Sequence, residues 1–216
     1  MLSHSKQSGF SVLEMVVVTA IFVMVTGVVL SNLPSFRNRA SLDLTAQEMA
    51  LAVREAQVYG IATRVVSVGS NEYPSYGVHF EITDEPAGSF IMFADDSSDL
   101  DGKNLYDPGD GCNAQSVGTE CLEQFLLEGQ FKILKICQNA QDSSFEDRCY
   151  NQDVAVDVVY TRPFPEPSIC FSEGGSPASC GQTNVIIVLG TPGGTETRDV
   201  LIWNNGQIAA AGNGNK

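Results

Sequence analysis

One apolar run near the N-terminus constrains this chain more than any other feature. Residues 10–33 contain a single charged side chain, Glu14, among Val, Ile, Leu, Met and Phe residues. The hydrocarbon core of a bilayer is about 30 Å thick and is crossed by about 20 apolar residues in a helix. The sequence therefore predicts a membrane-spanning helix at residues 10–33, with residues 1–9 on the cytoplasmic side.

Glu14 is the unusual residue of this run, because a carboxylate at the centre of a bilayer costs about 2.5–3.5 kcal/mol. A chain that keeps such a charge usually provides a partner for it. The nearest candidate is the amine that cleavage after Gly9 would create at Phe10. An ordinary signal anchor is the alternative interpretation. A secretory signal peptide fits less well, since the apolar run is too long and contains a charge.

Residues 6–14, Lys-Gln-Ser-Gly-Phe-Ser-Val-Leu-Glu, resemble the prepilin signature of type IV pilins and type II secretion pseudopilins. The shared features are a short basic leader, Gly at the cleavage edge, Phe next to it and Glu as the fifth mature residue. The resemblance implies cleavage between Gly9 and Phe10 by a prepilin peptidase, followed by N-methylation of Phe10. It also implies that Glu14 meets the Phe10 amine of a neighbouring subunit in a filament.

The same resemblance implies a location, partners and a function. The chain would cross the cytoplasmic (inner) membrane once, carry its C-terminal domain outside the cytoplasm, and join other pilins or pseudopilins in a filament. Residues 50–60 are similar to the helix end of H-type minor pseudopilins. The expected function is thus that of a minor subunit of a type II secretion pseudopilus. The alternatives are a minor type IV pilin acting in DNA uptake or surface binding, and a cell-surface protein that uses the same export route.

Charge and composition argue against two other classes of function. The chain has 26 acidic and 12 basic residues, a formal net charge of −14. Such a surface repels phosphates, so a nucleic-acid partner is not expected. No enzyme is expected either, because the sequence has no Gly-x-Ser-x-Gly elbow and no P-loop. Its two histidines are His4, in the leader, and His79, which is expected on the face of a sheet.

The remaining periodicity predicts the α+β class, with a long N-terminal helix packed on a pilin-like antiparallel domain at residues 61–216. The helix continues over residues 34–60, with a kink or loosening at Pro34. One face of this half collects small and apolar residues: Leu42, Ala46, Met49, Val53, Ala56 and Gly60. A period of two predicts strands at 61–68, 76–82, 89–93, 154–160 and 184–189, two further apolar runs within 124–136, and a hairpin at Asn205-Gly206. Residues 211–216 are expected to be frayed.

An acidic segment at residues 95–110 is the candidate metal site. Ser97, Asp99 and Asp101 place oxygen atoms at alternate positions ahead of Gly102, as calcium loops do. The glutamate expected at the twelfth position of an EF-hand loop is replaced by Pro108. A solvated loop with Asp-Gly and Pro-Gly turns is therefore the favoured interpretation, and calcium is the alternative and the only candidate cofactor.

Six cysteines, all from residue 112 onward, indicate disulfides, because an even number in an exported domain favours them over thiol chemistry. Six cysteines allow fifteen pairings. The favoured set is local, with each bridge closing a loop of about ten residues worth about 2.5–3 kcal/mol. Zinc is the rival, but the chain has no Cys-x-x-Cys pair. The favoured pairs are Cys112–Cys121, Cys137–Cys149 and Cys170–Cys180.

Overall fold

The computed structural model describes residues 9, 11–62, 74–83, 87–95, 105–106, 112, 120–127, 129–138, 149–174, 176–191 and 196–212. Within these ranges the chain forms one long helix followed by eleven strands, which is the α+β class that the sequence predicts. Contacts divide the chain into two compact units, Met1–Ser41 and Leu42–Lys216. The helix begins in the first unit and ends in the second.

Helix α1 comprises Val12–Ile61. Its backbone remains helical through Pro34, so the helix does not break where the sequence predicts a loosening. Proline removes one backbone hydrogen bond, and the long helical stretches on both sides hold the backbone in place around it. The sequence predicts a strand at residues 61–68, but Ile61 is still part of the helix, so that prediction is wrong for residue 61. Residues 63–68 lie outside the described ranges.

Residues 42–61 of α1 belong to the second unit, and they bury the small and apolar face that the sequence predicts. All six residues of that face are buried. Gly60 packs against Tyr160 so closely that a Cβ atom at residue 60 would lie 2.6 Å from the Tyr160 Cβ and 2.8 Å from its carbonyl oxygen. Gly60 is therefore needed for close packing of the helix on the strand, and the helix continues one residue beyond it.

The second unit contains two sheets in which all strand pairs are antiparallel. The six-stranded sheet has the order β3-β2-β1-β6-β7-β8, and the five-stranded sheet has the order β11-β10-β9-β4-β5. The strands are β1 Tyr76–Ile82, β2 Ser89–Ala94, β3 Cys121–Leu126, β4 Lys132–Gln138, β5 Cys149–Tyr150, β6 Val154–Tyr160, β7 Pro167–Glu173, β8 Ser179–Cys180, β9 Asn184–Gly190, β10 Thr197–Trp203 and β11 Ile208–Gly212.

A single apolar core joins this half of α1 to one face of each sheet. Alternate residues of β1 and β6 point into it, as do alternate residues of β9 and β10. Its largest fully buried side chains include Tyr160, Phe80 and Leu42. The sheets also meet at a bridge where the Ile133 N–H donates to the Ala87 carbonyl at 2.8 Å.

Strands with a strong alternating pattern lie where the sequence predicts them, and the hairpin turn is also confirmed. Gly206 has a positive φ of 83°, and its N–H donates to the Trp203 carbonyl at 3.0 Å. Two other expectations are wrong. The Cys170–Cys180 bridge was expected to close a loop of about ten residues, but β7 extends to Glu173 and β8 begins at Ser179. Ala211 and Gly212 were expected to fray, but they pair with β10.

Candidate functional site

The N-terminal end of α1 carries two of the three residues predicted for processing and assembly. Gly9 is exposed and non-helical, and a Cβ there would meet nothing within 4 Å. Ser11 caps the helix, since its Oγ accepts the Leu13 N–H at 3.3 Å and its carbonyl accepts the Met15 N–H at 3.2 Å. Phe10, the third predicted residue, lies outside the described ranges.

Glu14 lies in the first turn of α1 and is exposed. A carboxylate at this position interacts favourably with the positive end of the helix dipole. Its charge remains available to a cation outside the chain, because the side chain is not buried.

Residues 12–33 of α1 present an exposed apolar surface. Every large apolar side chain from residue 12 to residue 33 is between 43% and 82% exposed. Hydroxyl groups in this stretch bond to the helix itself: Thr19 donates to the Met15 carbonyl at 2.9 Å and Ser31 to the Val28 carbonyl at 2.8 Å. By length and composition, this helix is able to cross a membrane.

Polar contacts of Asp43, Arg54 and Gln57 hold the other half of α1 to the strands and loops of the second unit. Asp43 forms an ion pair with Arg198 of β10. The Arg54 guanidinium donates to the Ile208 carbonyl at 3.1 Å, and the Gln57 amide donates to the Pro165 carbonyl at 2.9 Å. Since each partner is more than 100 residues away in the chain, these contacts add to the core in fixing residues 42–61 on the sheets.

His79 lies in β1, on the sheet face that is turned away from the core; the sequence predicts a position on a sheet face but not which face. The residue opposite it on β6 is Asp157, and the His79 Nδ1 lies 2.7 Å from the Asp157 Oδ1. Its Nε2 lies 3.8 Å from an oxygen of Glu81. Burial by itself lowers the pKa of His79, but hydrogen bonds and charges of these two carboxylates outweigh it and raise the pKa to about 9.

This arrangement makes His79 a cation at neutral pH. The hydrogen bond from His79 in turn lowers the pKa of Glu81. A histidine that is held protonated cannot serve as a general base near pH 7, because a base must begin the reaction without its proton. Sequence reasoning missed Asp157, which sits opposite His79 only because β1 pairs with β6, a strand far along the chain.

The predicted calcium ligands Ser97, Asp99 and Asp101 all lie outside the described ranges. Asp95, at the start of the segment, is buried, and its N–H donates to the Ser75 carbonyl at 2.9 Å. Within the residues that the structure describes, no three His, Cys, Asp or Glu side chains converge to hold a metal ion. Calcium binding by this segment stays a prediction.

The structure contains three disulfides, and they join the cysteine pairs that the sequence favours. Two of them link residues that lie directly opposite each other on neighbouring strands. Cys137 of β4 pairs with Cys149 of β5, and Cys170 of β7 pairs with Cys180 of β8. These bridges therefore hold two-residue strands, β5 and β8, at the edges of the two sheets.

No protein-family model, no curated protein and no solved structure matches this chain. The likeness to pilins and pseudopilins therefore rests on the residues of the chain themselves.

Proposed function

We propose that this protein is a minor pilin-like subunit of a type II secretion pseudopilus. A prepilin peptidase would cut it between Gly9 and Phe10, and α1 would then carry it from the inner membrane into the filament. The observation that supports this most directly is the combination of residues 6–14 with the helix that follows. An exposed glycine precedes a capped helix, and residues 12–33 of that helix expose large apolar side chains on all sides.

The exposed apolar half of α1 needs an apolar environment. Leaving one large aliphatic side chain in water instead of burying it costs about 1.5–3 kcal/mol, and this unit exposes many of them. Before assembly, lipid surrounds these apolar side chains. In the filament, the helices of neighbouring subunits would take the place of the lipid. The hydroxyl groups of Thr19 and Ser31 already bond to carbonyls of the helix itself, so these two groups need no new partner during the transfer.

Glu14 would guide this transfer through its charge. In the membrane the carboxylate has no protein neighbour that buries it, so a new subunit gains from meeting a cation. The amine of Phe10 on an adjacent subunit provides that cation once the leader is removed. Pairing between the two groups would set the axial position of each subunit, because only four positions of the sequence separate the amine from the carboxylate.

The second unit would move together with its helix during assembly. Residues 42–61 share one core with both sheets and are tied to them by Asp43, Arg54 and Gln57. Disulfides close the edges of the sheets outside the cytoplasm, where they persist. The unit is thus suited to serve as a rigid head on a filament of helices.

Replacing Glu14 by Gln tests the assembly step. Insertion and cleavage should persist, since the side chain keeps its size and the helix becomes more apolar. Removing one partner of a buried ion pair costs about 3–5 kcal/mol, so crosslinking to other pilins in the membrane should fall more than tenfold. Glu48→Gln is the matched control, because Glu48 is an exposed glutamate of the same helix in the second unit. Undiminished crosslinking of Glu14→Gln would support an ordinary signal anchor instead.

Replacing Gly9 by Val tests the processing step separately. A peptidase that requires a small residue before the cut should leave the leader in place, and intact mass measures this after co-expression with the peptidase. Ser8→Ala serves as the control and should be cleaved normally. Normal cleavage of the Gly9→Val protein would contradict the assignment of the cleavage site.

A further inference from the structure

The part of α1 that lies in the second unit has a second apolar face, on the side away from the sheets. Its large side chains are between 44% and 60% exposed, and together we call them the outer seam: Leu44, Leu51, Val58 and Ile61. Successive residues of a helix are turned by about 100°, so Leu51 lies on the side opposite the buried Met49 and Val53. The core of the second unit therefore does not account for the outer seam.

The spacing of the outer seam is that of a surface that binds another helix. Leu44, Leu51 and Val58 follow one another at intervals of seven residues, and Ile61 follows three residues after Val58. These intervals correspond to the a and d positions of a heptad repeat, where apolar side chains pack against a second helix that winds around the first. A helix is therefore the partner that this spacing fits.

Lipid does not suit this part of α1 as a cover. The same stretch contains the charged residues Asp43, Arg54 and Glu55. Charged side chains are costly inside a bilayer, so this stretch belongs in water. Apolar side chains gain free energy when they leave water, and a protein partner is what would remove the outer seam from it.

The size of the outer seam indicates how its partner is held. Four half-exposed aliphatic side chains offer about 300 Å² of apolar surface, whereas each partner of a stable interface buries about 800 Å². The outer seam is thus too small to retain a partner that diffuses freely. It suits a helix anchored in the same membrane, because tethering raises the effective concentration of the partner. Two helices that leave the same membrane also run parallel.

Arg54 distinguishes a second copy of this chain from a different chain. It is exposed, it occupies the d position between Leu51 and Val58, and its guanidinium is held by a hydrogen bond to the Ile208 carbonyl. In a parallel pair of helices, a residue at a d position faces the same position of the partner. Two copies in register would bring two Arg54 side chains together, and such like charges are unfavourable across an interface. A carboxylate of a different chain would be attracted instead.

We propose that the outer seam binds a parallel helix of a different membrane-anchored chain. That helix presents a large apolar side chain every seven residues and an Asp or Glu opposite Arg54. This inference rests on the proposed function, since a filament subunit meets such helices in the membrane from which it is assembled. The outer seam then selects the subunit beside which this one lies, and it does so in the part of the helix outside the membrane.

A photocrosslinking probe identifies the partner in the cells that naturally make this protein. The probe is benzoylphenylalanine in place of Gln47, an exposed residue at a d position of the outer seam. The expected product joins residue 47 to a different membrane-anchored chain, within a helix that has the heptad repeat and the acidic residue. A product with a second copy, a product with any other kind of segment, or no product would overturn the proposal. The same probe in place of Phe164, an exposed ring away from the helix, should not give the expected product.

A substitution in the outer seam tests the contact itself. Leu51→Gln keeps a good helix former but removes apolar surface, so the yield of the residue 47 product should fall about 5- to 30-fold, the range for a central interface residue. Leu126→Gln is the matched control, because Leu126 is 75% exposed on β3, and it should leave the yield unchanged. Both variants should keep the wild-type free energy of unfolding in urea. An unchanged yield in Leu51→Gln, or a clear loss of its stability, would overturn the docking role.

Failure of this inference can be told apart from failure of the proposed function. If only the outer seam is wrong, Leu51→Gln keeps the wild-type yield while Gly9→Val still retains its leader and Glu14→Gln still loses its crosslinks. If the proposed function is wrong, Gly9→Val is cleaved normally and Glu14→Gln crosslinks like the wild type.

Discussion

The ion pair between His79 and Asp157 should make the stability of the second unit depend on pH. The pKa of His79 is raised from 6.5 to about 9, so the folded state holds a proton that the unfolded state releases between these values. The contribution of this pair to stability is then fully present below pH 6.5 and is lost as the pH rises toward 9. A rise of this size corresponds to about 3 kcal/mol in the free energy of unfolding, lost at about 1.4 kcal/mol per pH unit.

Urea denaturation of the full chain in detergent, at several pH values from 5.5 to 9.5, measures this decline. Trp203 is the only tryptophan and lies in β10, so its fluorescence reports the unfolding of the second unit. His79→Gln should remove the decline, whereas His4→Gln should keep it. A wild-type free energy that stays constant between pH 6.5 and 9, or a decline that survives in His79→Gln, would refute this account of the pair.

Other substitutions test the packing of the second unit, all by urea denaturation. Gly60→Ala should lower the free energy of unfolding by about 1–2 kcal/mol, since the clash with Tyr160 exceeds the gain of about 1 kcal/mol in helix propensity. Gly27→Ala adds a Cβ in open space and should not lower it. Tyr160→Phe should be neutral or stabilising by about 1 kcal/mol, because its buried hydroxyl has no hydrogen-bond partner among the described residues. Replacing Cys170 and Cys180 together by Ala should cost about 2–3 kcal/mol without unfolding the sheet. A clear loss of stability in Tyr160→Phe, or none in the other two variants, would contradict these assignments.

Local features of the sequence determined much of the fold. A run of apolar residues is sufficient to predict α1, because helical hydrogen bonds join residues four apart and do not depend on distant segments. Strands β1 and β6 could also be predicted locally, because large apolar residues recur at every second position of each strand and point into the core. The three disulfides join cysteines only nine to twelve residues apart, so their pairing was also a local property.

Strand β7 shows where a local signal misleads. It begins at Pro167, directly after a stretch rich in proline, and prolines usually mark loops. A proline is nevertheless tolerated as the first residue of a strand. The alternation of Ser168, Ile169, Cys170 and Phe171 was the signal that could have revealed the strand.

The tertiary structure alone decided which distant residues meet. His79 and Asp157 are 78 residues apart in the chain, and Asp43 and Arg198 are 155 apart. Each pair forms because the register of a whole sheet, or the docking of a helix on it, brings the two residues together. Register is set by the sum of many core contacts, and a shift of one residue would turn His79 toward the core. A local sequence pattern does not report those distant contacts. The charged cluster of His79, Asp157 and Glu81 on the outer face of the sheet could therefore be identified only in the folded protein.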